Sequence, residues 1–504
     1  MRSLIASCIA FCCLLSVGLP QTASAQSTNL ISLEECVRMA MEKNLRIQIA
    51  RIDPGIARYQ LSGSYGIYDP RFEASYVHEE NSQEEDIVQG QTFRAFNREA
   101  DSYRTGLAGE LPLGLQYDMG FSTVRQQETT FPSFPLDPAA GTSDNYNSRV
   151  GIDLTQPLLR DFWTSDTRTQ IQLNKRNLRI SEEAYLQIVM TIVRDVEVAY
   201  YDLVAAQDQV KVQQKALELA NKLYQENKRR VEAGVLAALD EKQAESEAAT
   251  AQAALIASQA VVVKAENFLK NLISDNFEYW SPIRIMPTEK LLAVPQMFSK
   301  PDSWANALEN RPDFNQLKYE LEKQGLVVRL SHNQLFPSLN IVGSYGRSGI
   351  DAAFGGTIMD VEDETSPRHS YGVILSVPLS RRSERSSYRI ARETERQLQL
   401  QLKELHQNII VEVDSAIVDV QSAYDQIPAR REAVQFAQQA LDAEQKKLEN
   451  GKSTSFFVLE LQRNLTDARA AEIQALTEYN RAQAELYFRE ATILDRNKIT
   501  VTFE

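Results

Sequence analysis

Cysteine is nearly missing from this chain. Of 504 residues four are Cys, and Cys8, Cys12 and Cys13 all fall within the first 25. Those 25 read as a secretory signal: Arg2, an apolar run from Leu4 to Leu19, then Ala23-Ser24-Ala25 before Gln26. On that reading the mature chain leaves the cytosol with Cys36 alone, which excludes an intrachain disulfide and leaves the fold to be held by packing. Ile5-Ala6-Ser7-Cys8 resembles a lipoprotein cleavage box, but little apolar sequence precedes Cys8 and the run continues past it.

Long hydrophobic runs are missing as well. Beyond residue 25 none approaches the roughly 20 residues that a membrane helix needs, so any membrane span is expected to be β. Histidine is sparse: His78, His332, His369 and His406 are scattered without metal-ligand spacing, and no phosphate loop is present. Gly63-Ser64-Tyr65-Gly66 and Gly343-Ser344-Tyr345-Gly346 look alike, but neither has the G-x-S-x-G order of a nucleophile elbow. No catalytic set, no metal site and no cofactor is expected, and the chain is read as not an enzyme. Positive charge is outweighed, with a net charge of −14, which argues against a nucleic-acid partner.

What is present is a duplication. Ala40-Met41-Glu42-Lys43-Asn44 answers Ala307-Leu308-Glu309-Asn310-Arg311, and Tyr68-Asp69-Pro70-Arg71-Phe72 answers Leu335-Phe336-Pro337-Ser338-Leu339, both at an offset of 267. Gly151 to Leu158 then answers Gly372 to Leu379 at 221, and Gly234 answers Gly451 at 217. The first half thus carries an insertion. A repeat this long is a symmetry device rather than a solenoid period.

Each half contains a long heptad seam. Ile188, Ile192, Val196, Ala199, Leu203, Ala206, Val210, Leu217, Ala220, Tyr224 and Val231 settle into spacings of 4 and 3, and nothing breaks the pattern from Ser165 to Ala233. Gly234 ends it, and a return seam runs through Ala244, Ala248, Leu255, Val262, Leu269 and Leu272. The second half repeats the design from Ile409 to Leu448, turns at Gly451, and returns from Leu461 to Leu486. Two antiparallel helical hairpins follow. Pro428 is expected to kink or interrupt its helix.

Strand patterns precede each hairpin. Phe72, Ala74 and Tyr76 alternate with polar residues, as do Tyr103 to Leu111, Leu115 to Phe121 and Val150 to Leu154; the second half offers Leu339 to Gly343 and Tyr371 to Val377. One apolar and one polar face per strand is the pattern of an outer-membrane barrel, and so few strands would need other copies of the chain to close it. Asn81 to Ala100 and Gln126 to Asn147 read as polar external loops. The organisation expected is a signal peptide at 1–25, a first repeat at 26–273 (helix, strands over 71–156, hairpin over 165–273), a linking segment at 274–303, a second repeat at 304–494 (helix, strands over 338–379, hairpin over 383–494) and a tail at 495–504.

With the signal, the duplicated strand–helix unit, Gln156-Pro157-Leu158-Leu159-Arg160 at a strand end, and glycines at both helical tips, the chain resembles the outer-membrane efflux (TolC-like) family over nearly all its mature length. The resemblance implies an α+β membrane protein: a homotrimer sharing one transmembrane β-barrel, continued by a long periplasmic α-helical barrel of coiled-coil hairpins. It implies an outer-membrane exit duct of a tripartite efflux or type I secretion system, passively conducting what an inner-membrane transporter and a periplasmic adaptor protein deliver. The alternative is a non-pore structural or adaptor coiled-coil protein of the periplasm. An adaptor should carry a compact β domain between its hairpin arms, whereas here amphipathic strands flank the hairpins in both halves.

By the same resemblance, Gly234, Val235, Leu236, Gly451, Lys452 and Ser453 are the adaptor-contacting tips. Asp240 matches an aspartate near the periplasmic aperture; Phe457 stands at the equivalent place in the second half, and Glu460 three residues further on matches another acid of that region. The family's tyrosine and arginine at the second tip appear here as Leu448 and Ser453, so a gate cannot use the same bonds. The strand pair from Tyr103 to Val124 is an addition to the family pattern that either raises the barrel to six strands per chain or folds as a hairpin outside the membrane.

Overall fold

A computed structural model describes residues 28–83, 87–88, 91–92, 96–130, 141–363 and 366–502; the signal expected at 1–25 lies outside the described residues. The first half opens with strand β1 (Thr28–Ile31) and helices α1 (Leu33–Lys43) and α2 (Leu45–Ser64). Ser32 caps α1 by accepting from the Glu35 amide, the S-x-x-E arrangement of a capping box. Asn44 both caps α2 and donates to the Leu272 carbonyl at 2.8 Å, which fixes the α1–α2 corner to the far end of a later helix.

Strands β2 (Arg71–Gln83), β3 (Ile87–Val88), β4 (Gln91–Thr92), β5 (Phe96–Glu110), β6 (Gln116–Thr130) and β7 (Gly141–Pro157) follow. Helices α3 (Asp166–Glu232) and α4 (Ala238–Ile273) form the first hairpin; α5 (Phe277–Trp280) and β8 (Arg284–Pro287) lie in the link. The second half contains α6 (Lys300–Asn310), α7 (Pro312–Asn333), β9 (Ser338–Asp351), α8 (Phe354–Glu362), β10 (Pro367–Ser376), and the hairpin α9 (Arg382–Glu449) with α10 (Ser455–Arg489), then α11 (Ile493–Arg496). A 68-residue helix such as α9 reaches about 100 Å.

Several expectations are corrected here. Of the two outcomes expected at Pro428, interruption does not occur: α9 continues through it, with Pro428 on the exposed side of the helix and Ala423 and Ile427 buried on the packed side. The polar stretches expected to be loops are partly strand, since β5, β6 and β7 extend into them on cross-strand charge pairs: Arg98–Glu128 at 2.8 Å and Arg125–Asp144 at 2.8 Å. α4 is long and apolar enough, by length and composition, to cross a membrane. Its alanines and valines make it so without a continuous apolar run, and α4 packs along α3 as the return arm of the hairpin.

The main core lies midway along the long helices. Val189, Val193, Val196, Tyr200 and Leu203 of α3 meet Cys36, Val37 and Ala40 of α1, Leu269 and Ile273 of α4, Trp280, Ile285 and Ile493. Burial, with Glu289 and Glu35 nearby, pushes the Cys36 thiol up to about 12, so it packs as a small apolar side chain. β1 and β8 pair in parallel across this core, Thr28 opposite Arg284 through Ile31 opposite Pro287. β8 is held by the buried pair Lys270–Glu266 at 2.9 Å, whose carboxylate also accepts from the Ile285 amide, while Lys270 donates to the Ser281 carbonyl. The Tyr200 hydroxyl accepts from the amides of Thr288 and Glu289.

α7 lies against both α3 and α9, whereas its first-half counterpart α2 packs chiefly on α3. On its other side α2 leaves Leu45, Ile49, Ile52, Ile56 and Tyr59 exposed at spacings of 4 and 3.

Candidate functional site

β2, β5, β6, β7, β9 and β10 form one antiparallel sheet in the order β10-β9-β7-β6-β5-β2, so the added strand pair lies inside it and not beside it. Its register separates two faces. Phe72, Leu107, Met119, Ile152, Tyr345 and His369 occupy one cross-strand row, with Ala74, Thr105, Phe121, Val150 and Arg347 in the next row on the same face. Apart from Tyr146 further out on β7, the apolar residues of this face end at Tyr76, Tyr103, Phe121, Val150, Tyr345 and Tyr371 on successive strands. His78, Asp101, Thr123, Ser148, Arg347 and His369 are the next outward positions.

That boundary is oblique to the rows. Tyr76 lies opposite Tyr103 in the row that reaches Gly349, but Tyr371 lies opposite Gly343, six residues lower. A drop of six residues at about 3.3 Å each, over five strand spacings of about 4.8 Å, corresponds to strands tilted by about 40° from the normal of the boundary, within the range of outer-membrane barrels.

The opposite face is polar and is crossed by four glycines in register: Gly106, Gly120, Gly151 and Gly346. A Cβ on Gly120 would lie 2.6 Å from the Thr105 carbonyl oxygen, and one on Gly151 2.8 Å from that of Tyr345. The strands approach there more closely than side chains allow. Two arginines use the space: Arg149 reaches over Gly151 to Asp153 in its own strand at 2.8 Å, and Arg104 of β5 pairs with Asp118 of β6. The result is a charged trough floored by glycine backbone.

At the other end of the molecule the hairpins turn through matching caps. Gly234 (φ 74°) and Gly451 (φ 71°) take the left-handed conformation, and the residue after each donates to the carbonyl five positions back: Val235 to Arg230 and Lys452 to Lys447, both at 2.8 Å. Val235, Leu239, Phe456 and Phe457 stand exposed around the turns, with Leu236 partly covered; Ser453 contacts the Glu444 carboxylate. The two tips are joined. Ser455 Oγ donates to Asn227 Oδ1 at 3.1 Å with both residues buried, Asn227 Nδ2 donates to the Asp240 carbonyl, and Arg230 reaches the Leu448 carbonyl.

Asp240 therefore sits at the clasp, in the first turn of α4, and Glu460 lies five residues beyond Ser455 on the exposed side of α10. Neither carboxylate is engaged in an ion pair among the described residues, where no group of side chains suited to a metal occurs either. Sequence reasoning missed Asn227 and Ser455. The available signal was a polar residue between Tyr224 and Val231, where the seam calls for an apolar one.

The profile of the family described as "Outer membrane efflux protein" matches residues 91–274 and 304–489, more than half of the chain. "Outer membrane efflux protein BepC" of Brucella suis biovar 1 (strain 1330) is 25% identical over 359 residues, covering 70% of this chain and 74% of that protein. The fold is similar to that of a membrane protein from Pseudomonas aeruginosa, with a TM-score of 0.68 and 18% identity over 91% of this chain and 90% of that one. It is also similar to the Campylobacter jejuni CmeC outer membrane channel, with a TM-score of 0.66 and 15% identity over 91% and 85% of the two chains.

Proposed function

The chain belongs to the outer membrane efflux protein family and resides in the outer membrane with a large periplasmic helical part, and from that premise we propose that three copies form the exit duct of a tripartite efflux or type I secretion system. The observation that carries this reading is a six-stranded sheet that is apolar on one face and charged on the other, with both edge strands, β2 and β10, open. Open edges cannot face lipid, because unpaired backbone groups have no partner there. Three such sheets would give eighteen strands, the class that leaves an aqueous channel, with the Arg104–Asp118 and Arg149–Asp153 trough turned to the lumen.

The internal repeat supports the same stoichiometry. α7 of the second repeat bridges its own α9 and the preceding repeat's α3. The equivalent neighbour for α2 would be α9 of another chain, which would cover Leu45, Ile49, Ile52, Ile56 and Tyr59. The exposed apolar face of α4, with Ile256, Val263 and Phe268, would meet that chain as well.

Conduction in this reading is passive, driven by an inner-membrane transporter that also selects the substrate. A periplasmic adaptor would dock on the tips at Gly234, Val235, Leu236, Gly451, Lys452 and Ser453, where exposed apolar side chains surround both turns. Asp240 and Glu460 would ring the periplasmic aperture and favour cations. The deciding experiment is single-channel recording of the purified mature protein in a planar bilayer. Stable openings from a species of three-chain mass are expected. Silence from folded protein, persisting after Asn227→Ala loosens the tips, would reject the duct in favour of a coiled-coil scaffold.

A further inference from the structure

The helix α8, between β9 and β10, is built the wrong way round for a water-soluble surface. Its one fully buried side chain is Thr357, whose hydroxyl joins Ser148 at 2.8 Å, and Ser148 in turn donates to Thr123 at 2.9 Å. Gly349 lies beneath it, with no room for a side chain under the Thr357 backbone. Phe354 and Met359 point outward and are exposed, with the Phe354 ring edge-on to Tyr146 at 6.1 Å. A polar contact side and an apolar outer side suit a helix whose outer neighbour is hydrocarbon.

Its position agrees. Thr123, Ser148 and Gly349 are on the apolar face of the sheet, the first two one step and Gly349 two steps beyond the oblique line where the apolar residues end. α8 thus lies at headgroup level on the outside of the wall. Between its last turn and the apolar belt runs a groove of about 890 Å³, lined by Phe121, Val150, Tyr345, Arg347, Val361 and Glu362. The groove is continuous with the belt below and has charged residues only at its upper rim.

We propose that α8 is an interfacial helix embedded in the outer leaflet, and that the groove beside it holds the acyl chain of an outer-membrane lipid. This rests on the reading of the sheet as a barrel wall, and the test separates the two. In the mature protein, which keeps only Cys36 of the four cysteines, with Cys36→Ala, a single cysteine is placed at Met359→Cys on α8 or at Val373→Cys in the middle of the belt. Each is labelled with NBD and reconstituted into phosphatidylethanolamine and phosphatidylglycerol vesicles that contain doxyl-labelled phospholipid. Both labels should lose most of their emission to the acyl-chain quencher. Loss at 373 with none at 359 would overturn the role of α8 and leave the wall standing; loss at neither would remove the wall, and the proposal with it. For the groove itself, Val150→Trp should reduce the number of phospholipids that the purified assembly retains in native mass spectrometry. An unchanged number would overturn the acyl-chain site.

Discussion

Asn227 of α3 and Ser455, at the first position of α10, share a hydrogen bond of 3.1 Å between side chains that are almost wholly withdrawn from solvent. They come from different repeats, so this bond fastens one hairpin tip to the other. Asn227→Ala leaves the buried Ser455 hydroxyl without its partner and removes the bond to the Asp240 carbonyl, at a cost of about 1–3 kcal/mol. We expect earlier thermal loss of helicity and more frequent channel opening in bilayer recordings.

The glycine row predicts a contrast between two similar substitutions. Gly120→Val puts a side chain into the Thr105 carbonyl and should destabilise the sheet by about 1–3 kcal/mol per chain, whereas Gly141→Ala meets nothing within 4 Å. Heat resistance of the assembled protein on gels should fall for the first and hold for the second.

Ile52 lies in the centre of the uncovered stripe on α2 and is exposed in the single chain. Ile52→Asp should therefore leave the chain's own fold intact, as judged by helicity, while preventing assembly. Light scattering in detergent should report a single-chain mass.

Glu197 of α3 is buried, accepts from Asn497 Nδ2 at 2.8 Å and has Arg496 at 4.0 Å. Burial raises its carboxyl above the ordinary range, with the Asn497 bond and Arg496 opposing. A raised folded value penalises the fold once the group ionises. The penalty is absent below the unfolded value of about 4.3, grows as pH rises toward the raised folded value, and is constant above it. Glu197→Gln should raise the melting temperature at neutral pH, and the gain should vanish in acid; melting curves across that interval check both the sign and the window.

For the aperture, Asp240→Asn with Glu460→Gln should lower the cation preference of the pore. Reversal potentials in asymmetric salt measure it directly, and unchanged values would exclude these carboxylates from the conduction path.

The hairpins were legible because a heptad seam and a glycine cap are both written within a few residues of one another. Val196, Leu203 and Gly234 each signal their place locally. The strands were legible where one face meets an apolar surrounding, as at Phe72, Phe121 and Val150, and faded beyond Tyr103, where both faces are polar and only pairing with β6 shows that the chain is still extended. β1 and β8 could not be read, since four residues pairing in parallel across the whole first repeat leave no local pattern. α8 was hidden because it is nine residues long and has Gly355 and Gly356 in its first turn, which disfavour helix, inside a stretch expected to hold strands. The clasp was hidden because Asn227 finds its partner 228 residues away.

The parallel pairing of β1 with β8 has a consequence for how the chain is made. Thr28 emerges early during synthesis and export, but its partner Arg284 follows 256 residues later. Closing a loop of that size costs about 5 kcal/mol in chain entropy, which four residue pairs cannot offset until the surrounding side chains have already collected. The first strand must therefore wait, unpaired, while the sheet segments and the first hairpin are delivered. A chain interrupted before residue 284 offers it no partner at all, so closure of this small sheet is a late folding step that registers the arrival of the link between the two repeats.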